Sequence, residues 1–242
     1  MKRWKMMLVG AVVGSVAMSV CAEEKKFKFF GQIEYLTYSD AFDENEKLFN
    51  DEVNELADTT GTDAFLSAAS DTNDGVGIRV GILVPSRVKD LSVGCSVGYI
   101  KGPKFDGNYL YEYDDGSFAY VDNTKYESMS NLWRVMAESK YHIPLGEQFQ
   151  ARLGIGLGLA TLKVEDDYSY VMTGDWDASG SYKTSITTTK FTWEIGPAIA
   201  YVTEKMGVEL ALTYSQMPSA EDMNSFQKFD WNPFGIRLGV EF

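Results

Sequence analysis

The chain runs to 242 residues, with 35 Asp and Glu against 22 Lys and Arg, one histidine and two cysteines. A net charge of −13 excludes a nucleic-acid binder and a basic patch that would sit on anionic lipid. After the opening residues no apolar run is long enough to cross a bilayer as a helix, so any membrane insertion must use strands.

MKRWKMMLVGAVVGSVAMSVCAEE opens with Lys2, Arg3 and Lys5, an apolar run from Met6 to Val20, and Val20-Cys21-Ala22 with a small last residue. These are the three parts of a secretory signal, and cleavage is expected after Ala22. The apolar run falls short of the ~20 residues of a helical anchor, and Val20 fits poorly before a lipoprotein cysteine. Processing removes three bases and no acid, which takes the net charge from −13 to −16 and leaves Cys95 without an internal disulfide partner. Residues 23–242 read as one domain.

From residue 27 onward, eight runs carry one apolar face, as expected of strands whose successive side chains point to opposite sides. In chain order they cover 27–36 (Phe27, Phe29, Ile33, Tyr35), 75–84 (Val76, Ile78, Val80, Ile82, Val84) and 91–100 (Leu91, Val93, Cys95, Val97, Tyr99). Then come 132–143 (Trp133, Val135, Ala137, Tyr141, Ile143) and 149–161 (Phe149, Ala151, Leu153, Ile155, Leu157, Leu159). Runs 190–202 (Phe191, Trp193, Ile195, Pro197, Ile199, Tyr201), 208–215 (Val208, Leu210, Leu212, Tyr214) and 234–242 (Phe234, Ile236, Leu238, Val240, Phe242) complete the set. Pro197 removes a ladder hydrogen bond and predicts a local bulge in the sixth run.

The opposite face holds Glu34, Arg79, Arg134, Glu138, Lys140, Arg152, Glu194, Glu209, Arg237 and Glu241, interleaved with Gly and Ser. Five acids meet five bases, so this face is neutral and the excess acid lies in the connections. Those alternate between short turns (85–90, 144–148, 203–207) and long loops (37–74, 101–131, 162–189, 216–233). The rhythm predicts an all-β, eight-stranded antiparallel up-and-down barrel with its termini on the short-turn side.

Such a barrel can turn its apolar face inward, as a secreted lipocalin-like carrier, or outward, as a transmembrane barrel. Gly and Ser beside large charges suit a narrow lumen that side chains nearly fill, which favours the second. Aromatic spacing points the same way. Trp133 and Tyr141, Trp193 and Tyr201, and Phe234 and Phe242 are each eight residues apart. At ~3.3 Å per residue and ~40° tilt, that separation climbs about 20 Å, close to the ~25 Å apolar band between aromatic girdles. The girdle residues are Tyr35, Tyr99, Trp133, Tyr141, Phe149, Trp193, Tyr201, Tyr214, Phe234 and Phe242.

In these features residues 27–242 resemble the bacterial eight-stranded outer-membrane barrels, of which the transmembrane domain of outer membrane protein A is the best-known type. The resemblance implies a Gram-negative outer-membrane location, with periplasmic short turns and extracellular long loops. It also implies that Phe234, Ile236, Leu238, Val240 and Phe242 act as the signal read by the barrel-assembly machinery, with Val240 where an aromatic is often found.

Counting from strand ends places Glu34, Arg79, Glu138 and Arg237 near mid-barrel, where arginine forks can hold carboxylates bidentately. A static plug of paired charge is expected, with a narrow, porin-like channel for small or apolar solutes as the alternative. Some barrels of this size resemble this one and modify lipid A acyl chains, which needs a histidine beside a nucleophile. The single histidine, His142, has no His-x-Ser neighbour, since Pro144 stands at that position; it reads as a lumen hydrogen-bonding group, and no enzyme is expected. Neither a cofactor nor a metal is expected, because SDTNDG (70–75) lacks calcium-loop spacing and a bidentate glutamate.

The first long loop is strongly acidic, and ENEKLFNDEVNELA (44–57) spaces Leu48, Val53 and Leu56 for a short amphipathic helix. YLYEYDDGSFAY (109–120) is expected to extend the third and fourth strands. The partners expected are outer-membrane lipid, the assembly machinery and a surface partner of unknown identity on the acidic loops. The role expected is structural or surface interaction.

Overall fold

In the computed structural model, residues 27–37, 43–59, 64–117, 119–175, 177–221, 228–229 and 233–242 are described; the expected leader, 1–22, lies outside them. The elements are β1 (Lys28–Thr37), α1 (Asp43–Thr59), β2 (Ala64–Asn73), β3 (Gly75–Pro85), β4 (Leu91–Asp114), β5 (Ala119–Pro144) and β6 (Phe149–Gly174). They continue with β7 (Ala178–Val202), β8 (Gly207–Gln216), the two-residue β9 (Ala220–Glu221) and β10 (Lys228–Phe229), and β11 (Phe234–Glu241).

Every pairing is antiparallel, and the ring closes: β3 joins β1 to β4, β4 to β7 follow in order, and β8 and β11 return to β1. β2 and β3 are one wall strand interrupted at Asp74, since Asn73 pairs with Lys104 and Val76 with Lys101 on the same β4. An eight-stranded barrel therefore forms, as the alternation predicts. At its seam the last residue pairs fully: Phe242 N–H donates to the Phe29 carbonyl at 2.8 Å, and Phe29 N–H to Phe242 at 3.1 Å.

The strands are far from equal. β1, β8 and β11 have 10, 10 and 8 residues, whereas β4 to β7 have 24 to 26. The expected loops 101–131 and 162–189 are thus mostly long hairpins, whose outgoing strands end at Asp114 and Gly174. Positive φ at Gly116 (79°) and Gly174 (131°) marks where these chains turn. Alternation hid the second hairpin because both its faces carry Thr, Ser and Tyr rather than one apolar row. The extension of the third and fourth strands expected from YLYEYDDGSFAY is present. Only β2 and the longer halves of β4 to β7 continue past the closed ring, so the upper part is a five-stranded open sheet.

Pro197 makes no bulge. Ile195 pairs with Tyr214 and Ala198 with Ala211 in one unbroken register, and only the ladder between them is missing. The register shift lies instead between Lys101 and Lys104 of β4. It moves the inward positions from Ser96, Gly98 and Ile100 to Phe105, Gly107, Tyr109 and Tyr111, and so turns tyrosines into the interior.

Inside, three layers are stacked. Charged side chains fill the closed barrel. Above them Leu36, Ile100, Leu132, Ala160, Leu162 and Met217 form an apolar layer, which the sequence reading did not expect. Higher still, α1 lies in the open sheet with Phe49 as its buried residue. Leu48 is exposed, contrary to the expected apolar face, because the i, i+4, i+7 row that meets the sheet is Phe49, Val53 and Leu56.

Candidate functional site

The ten charged residues singled out by alternation are all buried in the interior. They divide into two clusters, each neutral. The central cluster draws Glu34 from β1, Arg79 from β3, Arg134 and Glu138 from β5, Glu194 from β7 and Arg237 from β11. Backbone register explains the meeting. Gly98 pairs with both Arg79 and Arg134, and Gly156 with both Glu138 and Glu194, so a glycine opens space between each like-charged pair. A Cβ at Gly98 would stand 3.1 Å from Arg134 Nε, so any larger residue there would press on the guanidinium.

Glu194 is the hub. Its Oε2 lies 2.6 Å from Arg79, 2.6 Å from Arg237 and 3.0 Å from Arg134, while Oε1 accepts a second bond from Arg79 at 3.0 Å. Glu34 bridges the same three arginines: Oε1 is 3.0 Å from Arg79 Nε and 2.9 Å from Arg237 Nε, and Oε2 pairs with Arg134. Glu138 accepts from Arg79 at 3.1 Å and from the Ser96 hydroxyl. Counting from strand ends captured Glu34, Arg79, Glu138 and Arg237; Arg134 and Glu194 join them because the strands tilt, which such counting ignores.

The second cluster sits nearer the short-turn end. Lys140 lies 2.8 Å from Glu209 and 3.3 Å from Glu241, and Arg152 lies 2.8 Å and 2.6 Å from the same two carboxylates. Gln32 donates to Glu209 at 3.3 Å, and Phe30 lays its ring 5.2 Å from the Lys140 ammonium. Each carboxylate of this lower cluster meets two cations. Chemically, the two clusters are neutral networks in which every buried charge has an opposite partner, and the apolar layer lies above them.

The girdle residues face outward in two bands. Tyr35, Tyr99, Trp133, Trp193, Tyr214 and Phe234 lie toward the long-hairpin end, with ring contacts of 4.8 Å for Tyr99–Trp133, 5.6 Å for Trp193–Tyr214 and 5.0 Å for Tyr214–Phe234. Tyr141, Phe149, Tyr201 and Phe242 lie toward the short turns, where Phe149 and Tyr201 are 5.3 Å apart. Phe234, Ile236, Leu238, Val240 and Phe242 share the outward face of β11.

His142 does have a serine beside it, brought across from β4 rather than along the chain: its Nε2 is 2.9 Å from Ser92 Oγ. The sequence missed this pair because it is a cross-strand diagonal. Among the described residues no group bonds the other ring nitrogen, so the orienting partner of a nucleophile–base–acid triad is missing.

Sequence reasoning also missed a cavity in the upper region, between α1 and the inner face of β4 to β7. Its volume is 250 Å³, and Phe49, Glu52, Phe105, Tyr126, Asp166 and Tyr168 are among its walls. Phe49 meets Phe105 at 6.1 Å and Tyr126 at 5.7 Å, both edge-on, and Tyr126 meets Tyr168 at 4.8 Å. The Tyr126 hydroxyl donates to Glu52, as does Tyr109 at 3.2 Å. Burial first, and then the Glu52 carboxylate, push the Tyr126 hydroxyl well above the usual phenol range.

No family model matches the sequence, and no curated protein matches it. Among solved structures the chain is similar to Neisserial surface protein A, at 13% identity over 90% of this chain and 98% of that one, with a TM-score of 0.45. It is similar to the attachment invasion locus protein of Yersinia pestis at 12% identity over 90% and 99% of the two chains, TM-score 0.37. A major outer membrane protein from Thermus thermophilus gives 13% identity over 90% and 99%, TM-score 0.37. This chain is thus similar to solved outer-membrane barrels of eight strands.

Proposed function

We propose that this protein is a non-enzymatic barrel of a bacterial outer membrane, closed by its own ion pairs, that holds a rigid acidic platform above the membrane for surface contacts. One observation carries the reading: the faces are inverted relative to a water-soluble barrel. Arg79, Arg134 and Glu34 are each 1% exposed, while Ile33, Val80, Ile199 and Leu212 are 60–61% exposed around the circumference. An apolar band of that extent, bordered by two rows of rings, is compatible with hydrocarbon and not with water.

In this reading the leader, 1–22, is removed on export. The short turns face the periplasm, and the open sheet stands on the outer side. The outward row Phe234, Ile236, Leu238, Val240 and Phe242 serves as the handle for the assembly machinery. The Ser92–His142 pair is a hydrogen bond at the lower rim and not a catalytic centre.

Membrane fractionation with a heat-modifiability gel tests the main statement. The protein is expected in the outer-membrane fraction, migrating differently before and after boiling; a soluble monomer carrying an apolar guest would overturn it. Planar-bilayer recordings test the closure. Steady open conductance would replace the plug with a narrow channel for small solutes. Overexpression is expected to leave lipid A acyl composition unchanged.

A further inference from the structure

We propose that the 250 Å³ cavity under α1 is a binding site for a small organic cation with apolar substituents, an alkyl- or methylammonium group. The site is independent of whether the lumen below it conducts.

Three features of its walls converge on that class of ligand. The first is ring surface. Phe49, Phe105, Tyr126 and Tyr168 line the cavity, with Tyr182 at its rim, and the ring contacts of Phe49 with Phe105 and Tyr126 leave aromatic faces and edges turned to one space. Such a cage attracts a poorly hydrated cation through the ring quadrupoles. The second is charge. Glu52 and Asp166 turn carboxylates to the cavity, Glu127 and Asp167 lie on the alternate face of the same strands, and no lysine, arginine or histidine is among the described lining residues. Asp167 and Glu127 meet lysines, at 3.0 Å from Lys183 and 3.2 Å from Lys125, but Glu52 has no ion-pair partner among the described residues. Two tyrosine hydroxyls, Tyr109 and Tyr126, hold Glu52 in place instead, which fixes a carboxylate beside the rings.

The third is size. At 250 Å³ the cavity lies just below the roughly 300–1,000 Å³ of ordinary ligand pockets, which suits a compact head group and not a peptide. The acidic surface around the opening adds a steering field of the right sign. An anion would meet the Glu52 and Asp166 carboxylates and no cation among the described lining residues. A neutral apolar molecule would leave Glu52 with no cation to face.

Choline and its neutral isostere 3,3-dimethylbutan-1-ol separate these possibilities in titration calorimetry on the full chain in detergent micelles. Choline is expected to bind saturably and on the order of tenfold more tightly than the isostere, the scale of a desolvated cation–π contact joined to one carboxylate. Glu52→Gln is expected to remove about that factor, with the heat-modifiable migration of the barrel unchanged. Should that substitution unseat α1, Tyr182→Ala removes a mostly exposed rim ring and is expected to weaken choline several-fold. Equal affinity for the isostere, no saturable choline binding, or full binding in both variants would each overturn the proposal.

Discussion

The closed lower barrel and the open upper sheet share strands β4 to β7 but are held by opposite means. Below, the ring is complete, the inward positions are charged, and the buried ions are held by one another. Above, three wall strands have ended, so among the described residues the sheet has a concave face with no strand opposite it. A helix and a layer of rings cover that face: Phe49 packs on Phe105, Tyr109 and Tyr126. Closure lets a barrel tolerate a polar interior, because every backbone group is paired and only side-chain charge needs balancing. An open sheet needs an apolar face and a cover.

The largest effect expected is on the lower region. Glu194→Ala leaves Arg79, Arg134 and Arg237 with one fewer shared carboxylate in a buried site, and uncompensated buried charge of this kind costs ~3–5 kcal/mol. Urea titration of the folded band in a heat-modifiability gel measures it. A change below about 1 kcal/mol would mean that water enters the cluster, and the contrast between an ion-paired lower half and a helix-covered upper half would fail.

Phe49→Ala attacks the upper region alone. Burial of this ring is worth about 3 kcal/mol, toward the lower end for large-to-small changes, because α1 can shift into the space. The expected result is protease cleavage within 43–59 while the folded band keeps its urea midpoint. If the midpoint falls as far as in Glu194→Ala, the two regions unfold as one unit.

Parity made the lower region legible. Once one face of each run is apolar, Glu34, Arg79, Glu138, Arg237 and the other six charges must share the opposite face, and a closed barrel brings that face together. The apolar layer was present in the same parity, since Leu36, Ile100 and Leu132 lie two positions beyond Glu34, Gly98 and Arg134, but a search for charge passes over it. The upper region was legible only at Tyr109–Tyr120 and in the helical spacing of 44–57. Its other signal is spoiled by the shift between Lys101 and Lys104, which exchanges inward and outward positions, and by polar residues on both faces of 162–189. No local pattern announces that Phe49 and Tyr168 will meet the same cavity, because that contact depends on where the helix lands.

Alkaline pH separates the regions without mutation. Burial and Glu52 raise the Tyr126 hydroxyl above its unfolded value of about 10. Its contribution is therefore fully present below pH ~10 and declines as pH rises from there toward the folded value, since the unfolded chain would ionise first. Limited proteolysis of α1 is expected to accelerate above pH ~10 while the folded band persists, and Tyr126→Phe is expected to flatten that dependence.

The smallest effect expected is at the surface of the upper sheet. Lys183 pairs with Asp167 at 3.0 Å across the β6–β7 hairpin, but its side chain is 62% exposed, so water screens the pair and two long rotamer sets must be ordered to make it. Lys183→Ala is expected to leave both the urea midpoint and the α1 cleavage rate within error. Its charge nonetheless neutralises Asp167 beside the cavity, so the substitution is expected to raise choline affinity slightly at low salt and not at high salt. A stability loss comparable to that of Phe49→Ala would show that surface ion pairs, and not the ring layer, hold the open sheet together.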